Sequence, residues 1–171
     1  MMLNFPIVDT HVHFLVDKGL PYQSLQGDFT FQKYNECTKD LNVDTIVFME
    51  CDCNLSHYAE EVYFATGVAY MDSRIKAIVS AFPIEQGLRN EEKLDKLLVN
   101  PLVKGIRRLV RFEEKEFMLQ PDFIEGLKML EKRNISFDLC ISLEQLELVP
   151  SLVKQVPYLP IILDHIGTPH I

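Results

Sequence analysis

The chain alternates short apolar segments with longer amphipathic segments along its whole length. The apolar segments are rich in Ile, Val and Phe and have strand length, which predicts strands at residues 5–8, 45–49, 75–82, 103–110, 135–141 and 161–163. The amphipathic segments predict helices at 31–41, 56–70, 91–99, 121–133 and 143–156. This alternation predicts an α/β fold with a parallel sheet, because a helix supplies each crossover between parallel strands.

Two of the predicted helices have recognisable starts. Pro121 suits the first turn of a helix, where its missing N–H group is not needed. Ser142 and Gln145 have the spacing of a capping box, in which each side chain satisfies a backbone N–H group at the helix start. Pro150 is expected either to interrupt the last helix or to start a second short one.

The spacing of the predicted strands leaves two folds open. Strand starts recur about every 31 residues, and eight such units would need about 250 residues, the typical size of a (β/α)₈ TIM barrel. The 171 residues supply six units in what we interpret as one domain over residues 1–171. The chain therefore predicts either a barrel that stops before strands 7 and 8 or an open doubly wound sheet of six strands.

Composition and charge exclude several classes of protein. The chain is 47% hydrophobic and 25% charged, as in ordinary globular proteins, which excludes disordered, collagen-like and coiled-coil chains. The sequence shows neither a membrane span nor a signal peptide, so we predict a cytoplasmic protein. A net charge of −8 argues against nucleic acid and membrane partners, because phosphate repels it. Cys51 and Cys53 are predicted to be reduced thiols rather than metal ligands.

The strongest local pattern is Asp9-Thr10-His11-Val12-His13, at the end of the first predicted strand. Alternate residues of a strand lie on one face, so we expect Asp9, His11 and His13 to project together. Imidazole is the commonest metal ligand in proteins, and a nearby carboxylate fixes its tautomer. The pattern is typical either of a metal or substrate site or of two histidines that only make hydrogen bonds.

A second polar cluster follows the sixth apolar segment. Strand alternation places His165 on one face and turns Asp164 to the other. In a parallel barrel the C-terminal ends of all strands meet at one mouth, where His165 would join the first-strand histidines; a structural role is the alternative. Two other histidines, His57 and His170, are predicted to lie on the surface.

The fourth apolar segment carries arginines among its apolar residues. Only one of Arg107 and Arg108 can point inward, since neighbours on a strand face opposite sides. An arginine inside a barrel needs an anionic partner, because an unpaired buried charge is very costly. That partner is either a substrate carboxylate, which suits the two-pronged guanidinium, or a nearby glutamate such as Glu113 or Glu114.

Taken together and in order, these motifs resemble the amidohydrolase-related lactonases of the amidohydrolase superfamily, the relatives of sugar-acid lactonases and 2-pyrone-4,6-dicarboxylate lactonase. The resemblance runs from end to end and rests on residues 8–14 (VDTHVHF), 103–107 (VKGIR), 119–123 (LQPDF), 137–140 (FDLC), 144–146 (EQL) and 162–169 (ILDHIGTP).

The resemblance implies a distorted (β/α)₈ barrel, a hydrolase that opens a lactone ring with activated water. By position it implies that His11, His13 and His165 are catalytic residues and ligands of one divalent metal, zinc or manganese, although some members need no metal. It implies that Arg107 binds an acidic group of the substrate, with Arg108 beside it. The predicted partner is thus a small acidic or sugar-derived molecule.

Two departures from the family pattern shape these expectations. The fifth segment has no lysine, which favours one metal or none, and Arg108 stands where relatives often have histidine. The resemblance also places the water-activating aspartate on an eighth strand, so we expect this chain to be the N-terminal portion of a longer product. The alternatives are a decarboxylase of the same superfamily and a non-catalytic fragment that binds a metal or an acid and forms homo-oligomers through its open strand edges.

Overall fold

Each of the six apolar segments forms a strand in the computed structural model, which describes residues 5–15, 20–23, 27 and 29–169. The chain divides into two units, residues 1–81 and 82–171, with three strands in each. No helix within the described ranges is long and apolar enough to cross a membrane. His170, which we predicted on the surface, lies outside the described residues.

In the first unit three strands pair in parallel and in chain order. They are β1 (Ile7–Val12), β2 (Val43–Met49) and β3 (Ile75–Ala81). Helix α1 (Phe31–Thr38) lies between β1 and β2, and α2 (Tyr58–Met71) lies between β2 and β3. This is the predicted alternation, because each parallel pairing needs a crossover.

The second unit repeats the same arrangement. Its parallel strands are β4 (Val103–Leu109), β5 (Ser136–Cys140) and β6 (Ile161–Leu163), again in chain order. Helix α3 (Glu91–Leu98) precedes β4, whereas α4 (Pro121–Arg133) and α5 (Val149–Gln155) lie in the two crossovers. Short 3₁₀ segments follow the ends of the three strands, at Val110–Phe112, Leu143–Leu148 and Asp164–Gly167. The six units confirm the α/β class.

The predicted helix start is confirmed in α4, and the predicted capping box begins the 3₁₀ segment Leu143–Leu148. Helix α4 has Pro121 in its first turn and ends at Asn134, whose left-handed conformation (φ 53°) lets its N–H group reach the carbonyls of the last turn. The Gln145 side-chain oxygen accepts a hydrogen bond of 2.9 Å from the backbone N–H of Ser142. Pro150 lies in the first turn of α5, so it starts a second short helix after a 3₁₀ segment.

Helix α4 packs against the Ile84–Asn90 segment at a point where only glycine fits. The apolar face of α4 is buried, with Phe123, Leu127 and Leu130 at 0% exposure. A Cβ atom at Gly126 would overlap the carbonyl oxygen of Ile84. The helix can therefore approach this segment closely only because residue 126 lacks a side chain.

Candidate active site

The two histidines of β1 lie against each other at the end of the strand. Their Nε2 atoms are 3.1 Å apart, and their rings meet edge to face with centroids 4.9 Å apart. Both side chains are partly buried, whereas the intervening Val12 is 4% exposed and belongs to the core. Strand alternation thus turns two imidazoles to one side and anchors the strand on the other.

The protonation of His13 follows from its backbone partners. Its Nδ1 atom lies 2.8 Å from the carbonyl oxygen of Glu50 and 3.2 Å from that of Met49, at the end of β2. A carbonyl oxygen only accepts, so Nδ1 carries the hydrogen and donates it. In the neutral ring the lone pair therefore lies on Nε2, the atom that faces His11.

This pair has the spacing and the chemistry to hold one metal ion. Two nitrogens bound to one tetrahedral zinc ion at 2.0–2.1 Å lie about 3.3 Å apart, close to the observed separation of the two Nε2 atoms. A ligating histidine characteristically donates its other ring N–H to a carbonyl or carboxylate, as His13 does. Without a metal, the same geometry suits one hydrogen bond from His11 Nε2–H to the lone pair of His13.

Asp9 has a partner on the first helix. The pairing of β1 with β2 shifts register between Asp9 and Val12. The carboxylate of Asp9 accepts a hydrogen bond of 2.9 Å from the hydroxyl of Tyr34 on α1. Burial and this carboxylate raise the pKa of Tyr34. The expectation that Asp9 projects together with His11 and His13 stays a prediction.

Buried acids that sequence reasoning missed support the end of β2, where His13 is anchored. The Glu50 carboxylate accepts from the backbone N–H of Asp52 at 2.7 Å, and Glu61 of α2 accepts from that of Cys51 at 3.1 Å. Glu61 is fully buried, and this burial, together with nearby Glu50, raises the pKa of Glu61 to about 8. The pattern offered no signal for Glu61, because it reads as one more charge on a surface helix.

The cysteines and His57 have the environments predicted for them. Cys51, Cys53 and Cys140 are buried free thiols, and Cys37 is an exposed one. Burial, reinforced by nearby carboxylates, raises the pKa of Cys53 to about 12. The side chain of His57 is 41% exposed and lies 3.6 Å from Glu60.

The sixth strand has its predicted bounds, and the polar cluster after it forms a turn. It stops at Leu163, and Asp164–Gly167 form a tight turn in which His165 and Ile166 both have φ 50°. A carboxylate oxygen of Asp164 and a ring nitrogen of His165 lie within 4.8 Å of each other. The expectation that Asp164 faces away from His165 is wrong, because alternation does not extend beyond the strand. Positive φ in two successive residues with a Cβ atom is strained backbone, which concentrates at functional sites.

Arg107 has a buried protein partner. Its Nε atom donates to Asp164 at 2.7 Å, and the two side chains are 5% and 2% exposed. Asp138 faces Arg107 across the β4–β5 pairing and is 3% exposed. Burial, followed by the charge of Asp164, raises the pKa of Asp138 to about 7, although Arg107 acts in the opposite direction. Asp164 thus supplies an anionic partner that a buried arginine requires.

Arg108 pairs on the other side of the strand. Its guanidinium contacts Glu85 at 3.1 Å and Glu113 at 2.5 Å, and it lies over the ring of Phe117. Glu113 is one of the partners that the sequence offered for an arginine of this strand. Both arginines of β4 therefore hold carboxylates of the protein itself, and their role in binding substrate stays a prediction.

Comparison with known proteins identifies a family and a fold. The amidohydrolase family profile matches residues 8–171. A search among curated proteins gives no match. Solved structures that resemble the chain have sequence identities of 12–20% to it. Likeness at this level of identity shows the fold alone. That fold is the (β/α)₈ barrel, and the six units of this chain confirm the predicted class.

Three of these structures show the range of relatives. An amidohydrolase from Burkholderia multivorans with bound zinc has a TM-score of 0.78 and 18% identity over 95% of this chain and 58% of its own. A probable 2-pyrone-4,6-dicarboxylic acid hydrolase from Acinetobacter baumannii with bound citric acid has a TM-score of 0.70 and 16% identity, over 94% of this chain and 58% of its own. A 2,6-dihydroxybenzoate decarboxylase from Rhizobium has a TM-score of 0.63 and 13% identity, over 94% of this chain and 67% of its own. The chain spans 57% of the length of another Burkholderia structure that it matches.

Proposed function

Because the chain belongs to the amidohydrolase family, we propose that it forms part of a hydrolase that opens the lactone of a sugar acid or dicarboxylic acid. The observation that carries the proposal is the pair of β1 histidines, whose Nε2 atoms lie 3.1 Å apart with His13 fixed by a backbone carbonyl. The likeness to a probable pyrone-dicarboxylic acid hydrolase supports an acidic lactone as the substrate.

The proposed reaction adds water across the ring ester. The oxygen of water bonds to the carbonyl carbon, the bond from that carbon to the ring oxygen breaks, and the ring oxygen takes a proton to give a hydroxy acid. His11, His13 and His165 would hold one divalent metal, zinc or manganese. When bound, such an ion polarises the carbonyl and lowers the pKa of water.

The residues of this chain contribute positioning and proton control. The carbonyl of Glu50 holds the hydrogen of His13 on Nδ1, which keeps the lone pair of Nε2 available to a ligand. Asp164 lies beside His165 and is held by Arg107, so the ion pair fixes the turn that carries His165. The resemblance places the base that accepts the proton of water on an eighth strand.

The test is substitution in the full-length protein with a panel of sugar-acid and dicarboxylic acid lactones. We expect His11→Ala, His13→Ala or His165→Ala to lower kcat/KM by at least about a hundredfold, the usual scale for a group that acts on the reacting atoms. His57→Ala is the matched control and should retain full turnover, since His57 is a partly exposed residue beside Glu60. Unchanged turnover in the three site variants would refute the assignment.

A second candidate reaction is decarboxylation within the same superfamily. It is favoured by the likeness to the Rhizobium decarboxylase, which the chain matches over 94% of its length. The two reactions are separated by their products, because a decarboxylase releases carbon dioxide from a carboxylated ring whereas a lactonase releases none. Carbon dioxide release without lactone opening would replace the first proposal by the second.

A further inference from the structure

The second unit contains a cavity of about 450 Å³ that the sixth-strand and first-strand histidines do not line. Its walls come from the segments that follow the C-terminal ends of β4, β5 and β6, and they include Arg111, Lys115, Ser142, Gln145 and Thr168. In barrels with alternating strands and helices, substrates bind at this end of the strands. The position of the cavity therefore fits a ligand of the proposed reaction.

Arg111 differs from the other two arginines of this region. Within the described ranges it forms no ion pair with a carboxylate, whereas Arg107 holds Asp164 and Arg108 holds Glu85 and Glu113. Its Nε atom is buried and has no hydrogen-bond partner. A buried guanidinium N–H without an acceptor is unfavourable, so this atom calls for an oxygen ligand.

The other charges that line the cavity are mostly compensated. Glu113 pairs with Arg108, and Lys115 pairs with Glu147 outside the cavity. Glu144 is exposed, so water screens its charge. Arg111 thus contributes the one positive charge of the lining that no carboxylate of the described residues neutralises.

The environment of Arg111 also favours a planar anion. Its guanidinium lies 4.5 Å from the centroid of the Phe112 ring, which covers one face of the group. Stacking of this kind leaves the N–H groups in the plane of the guanidinium free of the ring, and Arg111 lines the cavity. Arginine binds carboxylates through parallel N–H···O bonds in that plane, and such charge-assisted pairs are stronger than neutral hydrogen bonds.

We propose that Arg111, rather than Arg107 or Arg108, binds the carboxylate group of an acidic substrate in this cavity. The inference rests on the proposed function and names its substrate class, a lactone that carries a free carboxylate. Arg107 and Arg108 would have to give up protein carboxylates to take this role, and Arg111 gives up none. Arg111 is thus the residue that selects acidic over neutral lactones.

The first test measures binding without turnover, on the 171-residue chain. Isothermal titration calorimetry with succinate, its dimethyl ester and inorganic phosphate separates a carboxylate site from a site for any oxyanion. We expect succinate to bind, the ester not to bind, and Arg111→Gln to weaken succinate at least tenfold, with Arg111→Lys in between. Arg89→Gln is the matched control, since Arg89 is an exposed arginine that pairs with Asp122 on the surface.

Three results would overturn the proposal. They are the failure of the wild-type chain to bind succinate, equal succinate affinity in Arg111→Gln, and phosphate binding at least as tight as that of succinate. A second measurement needs no variant and so does not depend on Arg111→Gln folding. Succinate should protect Arg111 from modification by phenylglyoxal, while Arg89 stays reactive, and peptide mass spectrometry measures both. Equal labelling of Arg111 with and without succinate would also overturn the proposal.

The failure of this inference and the failure of the proposed function give different results. Loss of succinate binding in Arg111→Gln together with no lactone opening in the full-length protein refutes only the function. In an active full-length protein, Arg111→Gln should raise KM for an acidic lactone at least tenfold and leave a neutral lactone unchanged. Equal effects on both lactones would refute the role of Arg111 and retain the function.

Discussion

Asp138→Asn tests how the protein accommodates two buried carboxylates beside one guanidinium. Arg107 donates to Asp164 at 2.7 Å, whereas Oδ2 of Asp138 is buried and has no hydrogen-bond partner. Burial and the charge of Asp164 raise the pKa of Asp138 to about 7. We therefore expect Asp138 to be protonated in the folded protein at pH 5 to 6, which leaves one negative and one positive charge in the cluster.

The size of the effect follows from the difference between the folded and unfolded states. A free aspartate has a pKa of about 3.9, so unfolding releases the proton of Asp138 at any pH between about 4 and 7. Each unit of difference corresponds to about 1.4 kcal/mol. This residue alone should lower the free energy of unfolding by about 4 kcal/mol as the pH rises from 4 to 8. Asparagine has the same shape and no proton to lose, so Asp138→Asn removes this contribution.

The assay is urea unfolding of the wild type and the variant at several values between pH 4.5 and 8.5. The difference in unfolding free energy between the two proteins is the quantity to read, because Glu61 gives the wild type a further loss of the same sign. We expect the variant to gain relative stability steadily up to about pH 7 and then to level off. Asp40→Asn, at an exposed aspartate, is the control and should run parallel to the wild type. Parallel curves for Asp138→Asn would refute the reasoning.

Two further predictions concern packing and metal binding. Gly126→Ala should destabilise the protein by about 3 kcal/mol or more, because its Cβ atom would overlap the backbone of Ile84. Gly67→Ala, in the open part of α2, should stabilise the protein by about 0.5–1 kcal/mol, and thermal unfolding compares the two. Calorimetric titration should show that His13→Ala binds zinc at least tenfold more weakly than the wild type. The variant lacks the Nε2 lone pair of His13, which the Glu50 carbonyl keeps available by holding the hydrogen on Nδ1. Equal zinc affinities would remove His13 from the proposed metal site.

The strands could be predicted from the sequence because each includes a short apolar segment rich in Ile, Val or Phe, as in the mostly buried β3 and β5. Helix α4 begins at Pro121, as predicted, and its end at Asn134 follows the same local chemistry, since a left-handed residue closes the last turn. The end of β6 at Leu163 was predicted, but the turn after it was not, because the apolar segment gives no signal for the positive φ of His165. The expectation that Asp164 faces away from His165 was wrong for that reason.

The role of an arginine depends on which carboxylates the fold brings to it, and sequence neighbours say little about that. The partner of Arg107 lies 57 positions away, on the turn after β6, and no local pattern connects the two. Arg108 has one partner before β4 in the sequence and one after it: Glu85 precedes Arg108 by 23 positions, and Glu113 follows it by five. Only these pairings show that Arg111 is left without a protein carboxylate among the described residues. Our proposal therefore assigns the substrate carboxylate to the arginine that pairing within the fold leaves without a carboxylate, rather than to the arginine of the family motif.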